Sequence, residues 1–290
     1  SSWPPTASSA ACVAWRPPRG CLRPRLRKSA QNFDAVNLTA EQQTLLASIP
    51  DPMFRQTTRD FCVNQQFRKD YWVKGCRTLT ALEQAEALRG QRILLAQPRA
   101  DVGLKVTGSL GEATLQEAVY GPILDQLADH KPKTLGQLEQ ALKATPSTQS
   151  LSFAQILQAA MVLSATGAVQ AVQDDAVVQK AKKRTDRLNV YLMTKARSSN
   201  ELSYLASPVT GGGVTVPRFQ QLFLLAKQQG HKHPQDWANF VWNILALQNQ
   251  RLVKDGKTLE TVEENLAELT AQASEFAEKQ LPILKALQIA

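Results

Sequence analysis

The sequence predicts an α+β protein: a small antiparallel-sheet domain with helices, followed by a winged-helix-like stretch and a mostly helical C-terminal region. Three observations lead there. Between residues 34 and 118, capped helical segments alternate with short β-branched runs and glycine turns. From Val119 the strand signals give way to helices. Near the C-terminus, Val262, Leu266, Leu269, Ala273 and Phe276 recur at spacings of four and three, which makes one apolar stripe on a long helix.

Taken in order, "NLTAEQQTLLASIP" reads as a short helix with Thr39 as N-cap and Glu41 and Gln42 in its first turn. A second helix is expected from about Pro52 to Lys69, running into a strand, "DYWVKG". "TALEQAEALRG" is a helix with Gly90 as its C′ residue. "RILLAQP" is a strand, and "GLKVTGSLGEATLQE" a hairpin. Three helices follow: "VYGPILDQLADH", "TLGQLEQALKA" capped by Thr134, and "SFAQILQAAMVLSATG" capped by Ser152 and stopped by Gly167. "AVQAV-QDD-AVVQ" then reads as two short strands around a polar turn, which completes a winged-helix order. "KAKKRTDR" reads as a basic linker, "LNVYLM" as a strand or short helix, and "ASPVTGGGVTVP" as a loop. Two more helices and a hairpin centred on Asp255–Gly256 repeat a helix–helix–hairpin order. Pro282 breaks the last helix. The expected organisation is a disordered leader over 1–33, an α+β domain over 34–118, a winged-helix-like unit over 119–180 and a mostly helical domain over 181–290.

The chain has 290 residues and a net charge of +9. Six of those charges are Arg16, Arg19, Arg23, Arg25, Arg27 and Lys28, which leaves only +3 for the rest. The basic balance is therefore a property of the Pro-, Ser- and Arg-rich leader and says little about a polyanionic partner. No apolar run has the length of a membrane span, so neither a span nor a membrane partner is expected. Cys12, Cys21, Cys62 and Cys76 form no CxxC pair and suit reduced thiols in the cytoplasm.

The residues offer little catalytic chemistry. "VTGGGV" lacks the apolar strand and following helix that a dinucleotide turn needs, and "KVTGSLGEATL" is explained by a hairpin. His231 and His233 sit between Gly230 and Pro234 in a solvated inter-helix loop, and His130 stands apart, so no metal or histidine-based catalytic set is expected. A DNA-binding winged helix needs cations on its third helix, yet Ser152–Thr166 has none and the expected wing carries Asp174 and Asp175. Nucleic acid is not expected as a partner on that charge placement. The densest aromatic stretch is "DFCVNQQFRKDYWVKG". There Phe61, Phe67 and Trp72 are expected in the core, while Arg59, Arg68, Lys69 and Lys74 form a solvated basic edge open to a partner's carboxylates.

Several stretches together carry a resemblance. "MFRQTTRDFCVNQQFRKDYWVKG", the "LLAQP" strand, the hairpin after it and "PILDQLADHKPKTLGQLEQAL" resemble the regulatory domain found downstream of the catalytic domain in certain bacterial S-adenosylmethionine-dependent methyltransferases. The core of that pattern falls on Arg59, Asp60, Phe61, Asn64, Gln66, Phe67 and Arg68. "YLASPVTGGGVTVP" and "QLPILKALQI" look like the C-terminal portion of the same proteins, so the resemblance covers roughly 45–290. The group includes lysine methyltransferases of bacterial outer-membrane proteins, with a catalytic domain, a middle domain and a winged-helix region. The resemblance implies a non-catalytic regulatory or substrate-positioning part of a protein methyltransferase. Its partners would be a catalytic domain, in cis or trans, and a protein substrate. S-adenosylmethionine is expected only for that missing catalytic domain, because residues 1–33 offer nothing to bind it. The alternative is a freestanding winged-helix binding protein, with nucleic acid as a possible ligand.

Overall fold

The computed structural model describes residues 34–65, 79–108 and 110–290. The elements are α1 (Asp34–Asn37), α2 (Ala40–Ser48), α3 (Pro52–Cys62), α4 (Ala81–Arg89), β1 (Arg92–Leu95), β2 (Lys105–Gly108), β3 (Gly111–Thr114), α5 (Glu117–Leu127), β4 (Lys133–Thr134), α6 (Leu135–Lys143), α7 (Phe153–Thr166) and β5 (Val169–Ala171). They continue as α8 (Asp175–Lys195), β6 (Tyr204–Ser207), β7 (Gly212–Thr215), α9 (Arg218–Gln228), α10 (Pro234–Leu247), β8 (Val253–Lys254), β9 (Lys257–Thr258), α11 (Val262–Glu275) and α12 (Leu281–Ala286). This is the expected α+β class, with small sheets and a mostly helical C-terminal part.

Local chemistry accounts for the helix starts. Thr39, Thr80, Thr134, Ser152 and Thr261 each accept from the N3 amide, and the Gln or Glu at N3 bonds back to the cap amide. These are capping boxes that satisfy otherwise orphaned donors. Gly167 ends α7 at φ 84, a conformation that side chains with a Cβ adopt poorly. Gly90 differs from expectation: its φ is −71, so it ends α4 without a left-handed cap. Helix α3 stops at Cys62 rather than Lys69, because Asn64 turns left-handed at φ 51 and donates to Phe61 O. The strand expected over "DYWVKG" lies outside the described residues.

The hairpins are β2–β3, with Lys105 opposite Thr114, and β8–β9, where Asp255 and Gly256 at φ 49 and 76 make a two-residue primed turn. Strand β1 does not join β2–β3. It pairs antiparallel with β4, Arg92 opposite Thr134, in a sheet ordered β4–β1–β5. A continuous apolar run suits this central place: Ile93, Leu94 and Leu95 are all buried. The segment expected to be a loop around "VTGGGV" is a third hairpin, β6–β7, closed by Gly211 at φ 62.

The main departure is α8. The expected wing hairpin is absent, because only Val169–Ala171 is a strand. Asp174 adopts an extended cap conformation and opens a helix of 21 residues that absorbs "AVVQ", the basic "KAKKRTDR" and "LNVYLM". Its inward face is Val178, Ala181, Thr185, Asn189, Met193 and Ala196, too mixed in polarity to give an apolar period in sequence. Asn189 bonds Ala206 of β6 in both directions, accepting from its amide at 2.7 Å and donating to its carbonyl at 2.8 Å.

Two compact units divide the chain: Ser1–Ile93, Val102–Gln126 and Lys133–Val169 form one, and Leu94–Asp101, Leu127–Pro132 and Gln170–Ala290 the other. In the first, α6 packs on α4 and α7, with Leu138, Leu142, Ile156 and Leu163 buried. In the second, α10 packs on α9 and α11. Its centre is aromatic: Phe223 and Phe276 lie 5.6 Å apart, and Trp237 meets Phe276 edge-on at 6.2 Å. Pro282 does not break the last helix. The chain widens into a π-helical turn, Phe276–Gln280, and continues as α12.

Candidate functional site

The sequence resemblance centres on α3, so the site is built from there. Asp51 caps α3 by accepting from Phe54 N at 2.6 Å, and Pro52 occupies the first turn, where its missing N–H costs nothing. Helices α2 and α3 pack together, and Leu38, Leu46 and Val63 form a small core with Ile49 and Cys62 beside it. Arg55 donates from Nε to Ile49 O at 2.9 Å and pins the α2–α3 loop to the helix. One turn on, Arg59 Nε donates to Asp34 Oδ1 at 2.7 Å.

Arg59 therefore differs from expectation. It is 7% exposed and ion-paired, not part of a solvated edge. It sits on the face of α3 that looks toward α1, so burial selects the partnered charge. Arg68, Lys69 and Lys74 lie outside the described residues, as do Phe67 and Trp72. Phe61, expected in the core, is 83% exposed, and Phe54, two turns earlier on the same face, is 61% exposed. The inward positions of α3 are taken by Arg59 and its flanking turns, which leaves the aromatics outside. Phe61→Ser should accordingly change stability by less than about 0.5 kcal/mol. A loss of several kcal/mol in thermal melts would return Phe61 to the core.

Between α1, α2 and α3 lies an open cleft of about 500 Å³ lined by Asp34, Gln43, Leu46, Ala47, Arg55, Gln56 and Arg59. Its polar wall holds two guanidiniums one helical turn apart, two carboxamides and one carboxylate. Such a wall suits hydrogen bonding to a partner's polar groups. It has no nucleophile paired with a base.

A second polar cluster was not legible in sequence. Glu139 on α6 is buried, accepts from Arg89 Nε at 2.7 Å and from Lys143 Nζ at 2.7 Å, and Arg89 also lies 4.4 Å over the Phe153 ring. Only the spacing of Glu139 and Lys143 signalled it. The Arg89 hydrogen bond, with Lys143 second, holds the Glu139 carboxyl down at about 2 from an ordinary 4.5. A depressed carboxyl lends stability that is complete above pH 4.5 and lost as pH falls towards 2. Allowing for solvent around the half-exposed Arg89, this is about 1–2 kcal/mol. The melting-temperature gap between wild type and Glu139→Gln should close across that window. A gap constant with pH would mean the ion pair contributes nothing.

The other sequence candidates stay apart. His233 sits at the N-cap of α10 and donates its backbone N–H to Asp236 Oδ2 at 3.3 Å, and His231 packs its ring 5.8 Å from Phe240. Among the described residues no three His, Cys, Asp or Glu side chains are placed to hold a metal ion. Nor is any described helix long and apolar enough to cross a membrane.

Comparison with known proteins bears on the same stretch. The chain is 39% identical over 256 residues to an uncharacterized protein of Synechocystis sp., an alignment that covers 88% of this chain and 49% of the relative. The chain thus spans about half the length of that protein. No solved structure matches it. The family model of a predicted methyltransferase regulatory domain matches residues 28–74, a narrower span than the roughly 45–290 of the sequence resemblance. This match takes in α1, α2, α3 and the Asp34–Arg59 pair, so the cleft and the exposed phenylalanines lie within the stretch that matches the model of a predicted methyltransferase regulatory domain.

Proposed function

We propose that this chain is a non-catalytic regulatory or substrate-positioning part of a protein-lysine methyltransferase and acts with a catalytic domain in cis or in trans. The observation that carries the reading is the regulatory-domain match over residues 28–74, coincident with a self-capped helical pair that has a polar cleft on one side and two exposed phenylalanines on the other. Such a surface suits contact with another protein rather than chemistry: apolar area supplies adhesion, and buried charges keep the helices in register. Arg68, Lys69 and Lys74 would supply further polar contacts to a carboxylate-bearing partner.

The cofactor belongs to the partner in this reading. Calorimetric titration of the purified chain with S-adenosylmethionine should give no heat of binding, and micromolar affinity would overturn the assignment. The positive test uses the half of the Synechocystis relative that this chain does not span. That half, expressed separately, is expected to transfer labelled methyl groups from S-adenosylmethionine to lysine, and to do so faster with this chain present. Unchanged transfer on addition would sink the regulatory role. Arg68→Ala/Lys69→Ala, with the fold intact, tests the basic edge in the same assay.

A further inference from the structure

We propose that the outward face of α8 docks an acidic amphipathic helix of a partner protein. The helix carries Lys180, Arg184, Arg187, Leu188, Tyr191 and Lys195 within about 100° of its circumference, by the geometry of 3.6 residues per turn. All six are exposed, Leu188 and Tyr191 by 47% and 58%. The stripe contains no acid. The ion pair on this helix, Lys182 with Asp186, lies off to the side, and Lys180, Arg184 and Arg187 make no ion pair among the described residues. Lys195 is drawn over the Tyr191 ring at 5.5 Å, which keeps both side chains on the outer surface.

Two features select a helix over a nucleic acid or a lipid surface. Val177, Lys180, Arg184, Arg187 and Tyr191 follow spacings of three, four, three and four, the period that keeps a seam facing a second helix along its whole length. Phosphates need no such period. In addition, Val177, Leu188 and Tyr191 are interleaved with the cations. A polyphosphate would leave that apolar surface wet, whereas a helix with alternating carboxylates and leucines covers it. Insertion into lipid is disfavoured because the opposite face, Val178, Asn189 and Met193, is already buried in the protein.

The surface is also rigid, which lowers the entropic cost of docking. Asn189 fastens the middle of α8 to Ala206, and Arg218 donates from Nε to Ala196 O and from Nη2 to Arg197 O just past its C-terminal end. From Lys180 to Lys195 the stripe runs for about 22 Å at 1.5 Å per residue, about four turns of a partner helix.

The test uses the full chain and a fluorescent synthetic peptide of about 24 residues, long enough to be helical. It carries Glu and Leu along one face at the same spacing. Controls are the same peptide with Lys for Glu, a single-stranded oligonucleotide and vesicles containing anionic lipid. Saturable, salt-sensitive binding of the acidic peptide is expected. Arg184→Glu/Arg187→Glu and, separately, Leu188→Ser/Tyr191→Ser should each weaken it by about tenfold or more, with melting temperatures unchanged because these side chains are exposed. No binding, or no effect of the apolar pair, overturns the proposal. Tighter binding of the oligonucleotide or the vesicles than of the acidic peptide also overturns it.

Discussion

Replacing Phe276 by Ala is expected to cost about 3–5 kcal/mol, the range for emptying a large aromatic from a closed core. Phe276 is 1% exposed and is the ring on which the second unit converges: Phe223 packs at 5.6 Å, and Trp237 meets it edge-on at 6.2 Å. It also opens the π-helical turn that carries the chain past Pro282 into α12. Loss of the ring therefore removes contacts from α9, α10 and the C-terminal helix together. Phe276→Leu keeps most of the volume and should cost less than about 1.5 kcal/mol. Denaturant unfolding followed by tryptophan fluorescence distinguishes the two, with Trp237 and Trp242 of this core among the reporters. A Phe276→Ala variant within 1 kcal/mol of wild type would mean that the core collapses around the gap.

Asn265→Ala is expected to cost a similar amount, about 3–5 kcal/mol, by a different mechanism. Asn265 is fully buried. Its Oδ1 accepts from Leu252 N at 2.8 Å, and its Nδ2 donates to Leu259 O at 2.8 Å and Thr261 O at 2.7 Å. One side chain thus satisfies a backbone donor and two acceptors on the β8–β9 hairpin and its exit. Truncation strands Leu252 N and Leu259 O, at about 1–3 kcal/mol for each group that water cannot reach, while Thr261 O keeps the backbone N–H of residue 265 at 3.3 Å. Asn265→Asp retains the acceptor but loses both donated bonds and places a carboxylate against two carbonyls, so it should be no better than Ala at neutral pH. Hydrogen exchange would show the loss first at Leu252, whose amide donates to the side chain. Continued protection of that amide in Asn265→Ala would rule out this account.

By itself, the sequence determined the α+β class, the capped helix starts at Thr39, Thr134 and Ser152, the hairpin turn at Asp255–Gly256 and the resemblance centred on α3. These rest on interactions within a few residues or on a recognisable string, and such information is local. Only the tertiary structure decided which residues lie inside. Arg59 is buried because Asp34, twenty-five positions away, supplies its partner, while the aromatic Phe61 faces out. Strand β1 joins β4 instead of the neighbouring hairpin because a run of four residues with three buried apolar side chains needs cover on both sides. Helix α8 swallowed a segment that reads as a wing, a linker and a strand, because its inner face is closed by Asn189, Ala181 and Thr185 and shows no apolar period. Such outcomes depend on partners distant in sequence, and a burial pattern built from amides, small residues and paired charges has no signature before those partners meet.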